Sequence, residues 1–313
     1  MTGGLIIDKP AGITSHDVVA RVRRAAKTRR VGHAGTLDPF ATGVLVVCVG
    51  RATRLVQYLV GLDKEYVARV RFGYATDTQD FTGKQITPFR SSKGLSLEEL
   101  KTVLGGFKGE QLQVPPMYSA KKVGGERLHK AAREGREIER SAVRITIHSI
   151  DVIESNQAIS DDADGTREFD MRVVCTSGTY IRTLAHDIGE RLGVGAHLSA
   201  LRRTSVGSFK AATALSLEEV ERLGREGGLE AAGVTPSDLL AHLPAILLDD
   251  SEVHRIATGR AVETAPEESL AGKGTETVRL LNKRGELVAV GSYEEGGNLV
   301  RPKVVLVAEG RRA

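Results

Sequence analysis

Residues 64–73, Lys-Glu-Tyr-Val-Ala-Arg-Val-Arg-Phe-Gly, alternate with a period of two. Tyr66, Ala68, Val70 and Phe72 share one face and Arg69 and Arg71 point the other way, which predicts a half-exposed antiparallel strand. Val44–Val49 is apolar at every position, as in a strand buried on both faces. Leu5–Ile7, Arg144–Glu154 and Phe169–Cys175 read as further strands, the last being the final clear strand of this region. Helical spacing predicts a helix over about 16–29, capped by Thr14 or Ser15, with Val18, Val19, Val22, Ala25 and Ala26 on one face. Others are predicted over 53–62, 128–134 (ended by Gly135) and 179–192 (stopped by Gly193). Ser96-x-x-Glu99 and Ser216-x-x-Glu219 are capping-box patterns that open helices to about Leu104 and Leu223.

The pattern changes after about Gly224, where Gly and Ala are enriched up to Gly233. Beyond Leu243-Pro244 it is that of a small β-rich unit with strands at Ala245–Leu248, Thr277–Leu281, Leu287–Tyr293 and Val300–Val307. Asn282-Lys283-Arg284-Gly285 supplies a hairpin turn within it. Two units are therefore expected, residues 1–240 and 245–313, with a Gly/Ala/Glu loop over 263–276 that a compact barrel does not need and a basic tail, Arg311-Arg312, that reads as frayed.

Lys and Arg exceed Asp and Glu by only four, 44 against 40, too small a surplus to establish nucleic-acid binding. Its distribution says more: residues 21–30 hold Arg21, Arg23, Arg24, Lys27, Arg29 and Arg30 on the polar face of the first helix. Such a face is either simply solvated or a phosphate-contacting surface. Lys121-Lys122, after the extended Val114–Tyr118 stretch, would suit the same role. Cys48 and Cys175 sit in apolar runs without metal-ligand spacing, as reduced core thiols of a cytoplasmic protein do. The N-terminus meets charge after three apolar residues, so no signal peptide is expected, and no apolar run reaches membrane-spanning length.

Candidate chemistry centres on residues 32–43, Gly-His-Ala-Gly-Thr-Leu-Asp-Pro-Phe-Ala-Thr-Gly. Three glycines and a proline exclude a regular element, yet the segment runs straight into the buried 44–49 strand. Asp38 stands in its middle before Pro39, whose ring disfavours the α region for Asp38 and favours an extended backbone. Asp-Pro is also an ordinary turn opener, so residue types alone leave turn and catalyst both open. Tyr180 and Arg182 fall where a core strand gives way to a helix, a rigid corner with an open loop.

Gly32-His33-x-Gly35-x-Leu37-Asp38-Pro39-x-Ala41-x-Gly43 resembles the catalytic loop of the TruB family of tRNA pseudouridine-55 synthases. Asp8-Lys9-Pro10-x-Gly12-x-x-Ser15 and the segments 64–83, 114–135 and 176–189 resemble further motifs of that family, in the right order, so the resemblance spans the chain to about residue 210. It departs from the usual pattern at Ala34, Phe40 and His129, where Thr, Leu and Tyr are usual. The resemblance implies an α+β pseudouridine synthase fold with a mixed, mainly antiparallel central sheet flanked by helices and loops. Arg255–Val262 looks like the entry motif of a PUA-type RNA-binding barrel, which implies a small PUA-like domain at the C-terminus. It further implies isomerisation of uridine 55 in the T-arm loop of tRNA, without metal or other cofactor, by a monomer needing no protein partner.

By the same resemblance Asp38 is the catalytic carboxylate and Arg182 the arginine that pairs with it. Tyr66 packs on the target base, Tyr180 and Leu201 line the uracil pocket, and His33 helps occupy the space the extruded base leaves. Arg21, Arg24, Lys27, Lys121 and Lys122 are the candidate RNA contacts, since with 4 % aromatic residues and no Trp a broad stacking platform is not expected. Two other readings stay open. One is a tRNA-binding folding factor in which catalysis is secondary. The other is an aspartate-based glycosidase, which needs a second carboxylate opposite the first; Asp77 and Asp80 lie in a separate loop of unknown facing.

Overall fold

The structure is a computed structural model of the 313-residue chain. It describes residues 1–119, 122–123, 126–127, 131–132, 134–136, 138–153, 159–161, 164–263, 277–294 and 299–306. Lys121, the loop beyond 263 up to 276, most of the helix expected over 128–134, and the Arg311-Arg312 tail lie outside the described residues.

The strands are β1 (Gly3–Lys9), β2 (Val31–His33), β3 (Thr42–Val49), β4 (Lys64–Phe72), β5 (Gly109–Gln113), β6 (Lys122–Val123), β7 (Glu126–Arg127), β8 (Val143–Val152), β9 (Ile159–Asp161), β10 (Arg167–Cys175), β11 (Ala196–Val206) and β12 (Phe209–Lys210), followed by β13 (Ala245–Leu247), β14 (Val262–Glu263), β15 (Thr277–Leu281), β16 (Leu287–Tyr293) and β17 (Leu299–Val305). The helices are α1 (Ser15–Ala25), α2 (Val56–Leu59), α3 (Leu97–Gly105), α4 (Ile181–Arg191), α5 (Leu217–Glu226), α6 (Pro236–Leu239) and α7 (Asp250–Ala257).

A large sheet runs in the order β1-β3-β11-β4-β10-β8-β5, with β2, β9 and β12 paired at its flanks. Only β3 and β11 pair in parallel, so the sheet is mixed and mainly antiparallel. Both faces of β3 are covered. Val44, Val46 and Cys48 pack into one apolar cluster, and Leu45, Val47 and Val49 into another under α1 and α5. Alternation in β4 holds along its whole length, with Tyr66, Ala68, Val70 and Phe72 packing beneath α3 and α4. The C-terminal strands form a second, curled sheet, β13-β15-β16-β17-β14, consistent with a PUA-like unit. Leu281, Leu287, Val290, Val304 and Leu306 from it join the same cluster as Val44, Leu55 and Leu240, so the two units share apolar packing.

Several elements differ from the sequence pattern for local reasons. α1 stops at Ala25 rather than running to 29, because Lys27 adopts a left-handed φ of 48°. Its N-cap is Thr14, in a capping box with Asp17. The helix expected over 53–62 divides into a 3₁₀ turn, Gly50–Leu55, and the single turn of α2. Strands β2, β5, β6, β7, β9, β11, β12 and β14 and helices α6 and α7 were not anticipated. β11 lies at the centre of the sheet, but two register shifts break its alternation and His197, Arg203 and Ser205 are buried in it.

Candidate active site

The Asp38 loop is immobilised from behind by the segment following β1. Ser15 Oγ accepts from Leu37 N (2.9 Å) and donates to Leu37 O (3.2 Å). Lys9 Nζ donates to Pro39 O (3.2 Å), as does Gly12 N (2.8 Å). The peptide before Asp38 and the one after Pro39 are thus held, while Leu37 and Ala41 are buried in the core. From the other side Arg203, only 1 % exposed, donates to Gly35 O and Val44 O, tying β11 to the loop. Gly43 has φ +105°, and a Cβ there would sit 2.1 Å from Arg203 O, so only glycine fits at that crossing.

Arg182, in the first turn of α4 and 4 % exposed, meets Asp38 as a fork: Nε–Oδ2 2.9 Å and Nη2–Oδ1 3.3 Å. Its remaining donors are directed at Thr78 O (2.8 Å) and Tyr118 O (2.7 Å), with Asp80 Oδ2 at 3.7 Å from Nη1. Asp80 is buried, and its Oδ1 accepts from Thr78 Oγ1 (2.8 Å), Thr82 N (2.9 Å) and the Thr82 hydroxyl. Gln79 between Thr78 and Asp80 takes a left-handed φ of 62°, and its side chain accepts from Thr183 Oγ1 on α4. A strained residue in a loop this heavily cross-tied is the sort found at pre-organised sites.

Asp38, Tyr66, Tyr180, Arg182 and Leu201 all line one cleft of about 800 Å³, a volume suited to a nucleotide. Tyr66 projects from β4 beside Leu201 of β11, and burial pushes its hydroxyl up in pKa. Tyr180 is the N-cap residue of α4. Its backbone N donates to Gln113 Oε1 (2.8 Å) and its O accepts from Gln113 Nε2 (3.0 Å), so a buried amide of β5 fixes the corner. His33 does not line this cleft. It lies on β2 with its ring edge-on to His16 at 5.6 Å, and it is His16 that reaches the lining. Burial lowers the pKa of His33.

Residue-type reasoning passed over Lys64, Arg203 and Gln113, and left the facing of Asp80 open. Lys64 was within reach, because period two puts it on the same face as Tyr66. It is 5 % exposed, donates to Val60 O (2.6 Å) and Leu62 O, and burial lowers its pKa to about 8. Lys9 behind the loop is lowered to about 8 for the same reason, with Asp38 acting against the shift.

Of the basic residues on α1, Arg21 turns to α5, with Nε 2.6 Å from Glu221 Oε1 and Nη2 3.6 Å from Glu218 Oε1. Arg24 and Lys27 are exposed. Lys122 lies on β6, in a two-stranded ribbon with β7.

The sheet order and the cleft at the β3–β4–α4 corner define the pseudouridine synthase fold. The same architecture occurs in the crystal structure of a Cbf5-Nop10-Gar1 complex (TM-score 0.73, 29 % identity, 98 % of this chain and 85 % of that one). It recurs in an H/ACA RNP bound to a substrate RNA containing 2′-deoxyuridine (TM-score 0.70, 27 % identity, 98 % and 86 %). Within that class the chain belongs to the TruB family. Residues 23–181 match the N-terminal domain of TruB family pseudouridylate synthases, and residues 182–243 match the tRNA pseudouridylate synthase B C-terminal domain. The tRNA pseudouridine synthase B of Geobacter sulfurreducens is 44 % identical over 293 residues, covering 93 % of each chain. That of Bacillus velezensis is 38 % identical over 313 residues, covering all of both. Among the described residues no helix is long and apolar enough to cross a membrane.

Proposed function

We propose that the protein isomerises uridine 55 in the T-arm loop of tRNA to pseudouridine, with Asp38 as the catalytic carboxylate. The observation that carries this is the Asp38–Arg182 fork opening onto a nucleotide-sized cleft beside Tyr66 and Leu201. In the reaction the N1–C1′ bond breaks, the uracil turns over, and C5 bonds to C1′. The C5 proton leaves and N1 gains one, so no oxidation state changes and the protein's own groups suffice. Asp38 acts on the sugar or the base, as a nucleophile or as the base that takes the C2′ proton. Arg182 holds the carboxylate in one rotamer, and the tied peptides of its loop fix its height in the cleft. Tyr66 packs on the target uracil, with Tyr180 and Leu201 as pocket walls.

Reaching a stacked loop base requires extruding it, at a cost of roughly a few kcal/mol. His33, in edge contact with His16 at the cleft, supports that step from behind the lining. Backbone contacts come from Arg24, Lys27, Lys121 and Lys122, and the unit from residue 245 onward extends the RNA-binding surface. The protein works as a monomer in the cytoplasm.

Asp38→Asn, an isosteric change, removes the charge but not the fold. It is expected to abolish tritium release from 5-tritiated uridine in tRNA while leaving RNA affinity within a few-fold. Release at the wild-type rate by this variant would refute the assignment of Asp38.

A further inference from the structure

One feature of the cleft is unused by this chemistry. Phe40, two residues after Asp38, meets Phe81, the residue after Asp80, with ring centroids 5.6 Å apart at an interplanar angle of 82°. Phe40 lines the cleft and its inner side packs on the main apolar cluster, whereas Phe81 is 53 % exposed. Leaving half of a phenyl ring in water forgoes favourable apolar burial, and this chain is only 4 % aromatic. The backbone that carries the ring is tied down. Phe81 N donates to Leu198 O (2.8 Å), and the neighbouring Asp80 is fastened through both oxygens. A half-exposed aromatic ring on a tied backbone at the rim of a nucleotide-sized cleft, buttressed by a second ring, has the form of a stacking surface for a nucleobase.

If a uridine enters the cleft, the bases on either side of it in the RNA must lie at the rim, one nucleotide away. We infer that Phe81, supported by Phe40, stacks on a base adjacent to the target uridine and so sets affinity for the loop around it. The inference rests on the catalytic reading above and adds a specificity-determining residue to it. Phe81 touches no reacting atom. Its contact is made equally before and during the reaction, so its loss raises KM and leaves kcat unchanged.

The test uses the full chain and T-arm stem-loop RNA, read by tritium release. Wild-type protein is first assayed on the unmodified stem-loop. No release there removes the catalytic reading, and this inference with it. Once release is established, Phe81→Leu, which keeps apolar bulk but lacks a π-face, is expected to raise KM about tenfold with kcat within about twofold, and Phe81→Tyr to retain wild-type KM. On stem-loops carrying an abasic site 5′ or 3′ of the target, wild-type KM should rise about tenfold for one of the two. On that RNA Phe81→Leu should cost nothing further. An equal Phe81→Leu penalty on all three RNAs, no penalty on any, or a Tyr variant as weak as Leu would overturn the inference while leaving Asp38 chemistry intact. Urea midpoints of both variants separate loss of fold from loss of stacking.

Discussion

Arg182→Met tests the centre of the site, because the structure allows its cost to be worked out before measurement. The substitution keeps a similar apolar stem and removes every donor of the guanidinium. Four acceptors lose a partner: Asp38, Asp80, and the carbonyls of Thr78 and Tyr118. Breaking a buried ion pair by deleting one member costs roughly 3–5 kcal/mol. Asp38 recovers part of this, since its side chain is 35 % exposed and water can reach it, whereas Asp80, at 6 %, has no such recourse. A loss of about 4 kcal/mol is the result. With an unfolding entropy of about 2.1 cal/mol/K per residue over 313 residues, Tm should fall by about 6 °C. The variant should make no pseudouridine. The second half of the test is Arg182→Met with Asp80→Asn. If the stranded Asp80 charge carries the penalty, the double variant regains about 1–2 kcal/mol in urea unfolding yet remains inactive. Strict additivity of the two single changes, or an Arg182→Met loss under about 1 kcal/mol, would refute the reasoning.

Three further outcomes follow from the same geometry. Arg24→Ala and Lys27→Ala should each weaken RNA binding and reduce the magnitude of the log-affinity against log-salt slope by about one unit at most; Arg21→Ala, already paired with Glu218 and Glu221, should leave the slope unchanged. Lys64 has a folded-state pKa lowered by burial to about 8, against 10.5 when free. The unfolded chain therefore binds more protons between those values, and stability should rise with pH across that window by up to about 1.4 kcal/mol per pH unit. Lys9, also lowered to about 8, contributes in the same window, so Lys64→Met should reduce the slope there without abolishing it, and an unchanged profile would contradict the burial. Gly43→Ala places a methyl against Arg203 O at a φ reserved for glycine; it should cost several kcal/mol and detach the loop, seen as a lower urea midpoint together with lost tritium release.

Where side-chain periodicity was undisturbed, the sequence was a sufficient guide. β4 alternates without interruption, β15 and β16 have the bounds their apolar runs suggest, and the turn between them closes on Gly285 at φ 77°. β11 was hidden because its register shifts move residues off the period and its buried positions include a histidine and an arginine. Those polar groups are buried because carbonyls await them: Tyr74 O for His197, and Gly35 O and Val44 O for Arg203. No local pattern announces such partners, which lie more than a hundred residues away. β5 was missed for the opposite reason: Gly-Glu-Gln-Leu-Gln is a polar edge strand, and Leu112 points outward at 71 % exposure. For the site, the motifs brought together Asp38, Arg182, Tyr66, Tyr180 and Leu201. His33, expected to help fill the space an extruded base leaves, stands behind the lining, in edge contact with His16, which no residue pattern had singled out.

The second carboxylate decides between isomerase and hydrolase chemistry. A glycosidase needs a partner for Asp38 that can protonate a leaving group or activate water across the sugar. Asp80 is close enough to Arg182 to be considered, and it borders the cleft. Yet Oδ1 is filled by the Thr78 hydroxyl and by the amide and hydroxyl of Thr82, and Oδ2 faces the guanidinium. Oδ1, so engaged, has no lone pair to offer water, and a proton placed on it would break contacts on which the loop depends, while Oδ2 is turned to the guanidinium at 3.7 Å. Asp80 therefore acts as a second anchor for Arg182, and through Arg182 it orients Asp38. Among the described residues Asp80 is the carboxylate nearest this arrangement and it is turned away from that task, which favours a detached base being turned and rejoined to its sugar over its being replaced by hydroxide.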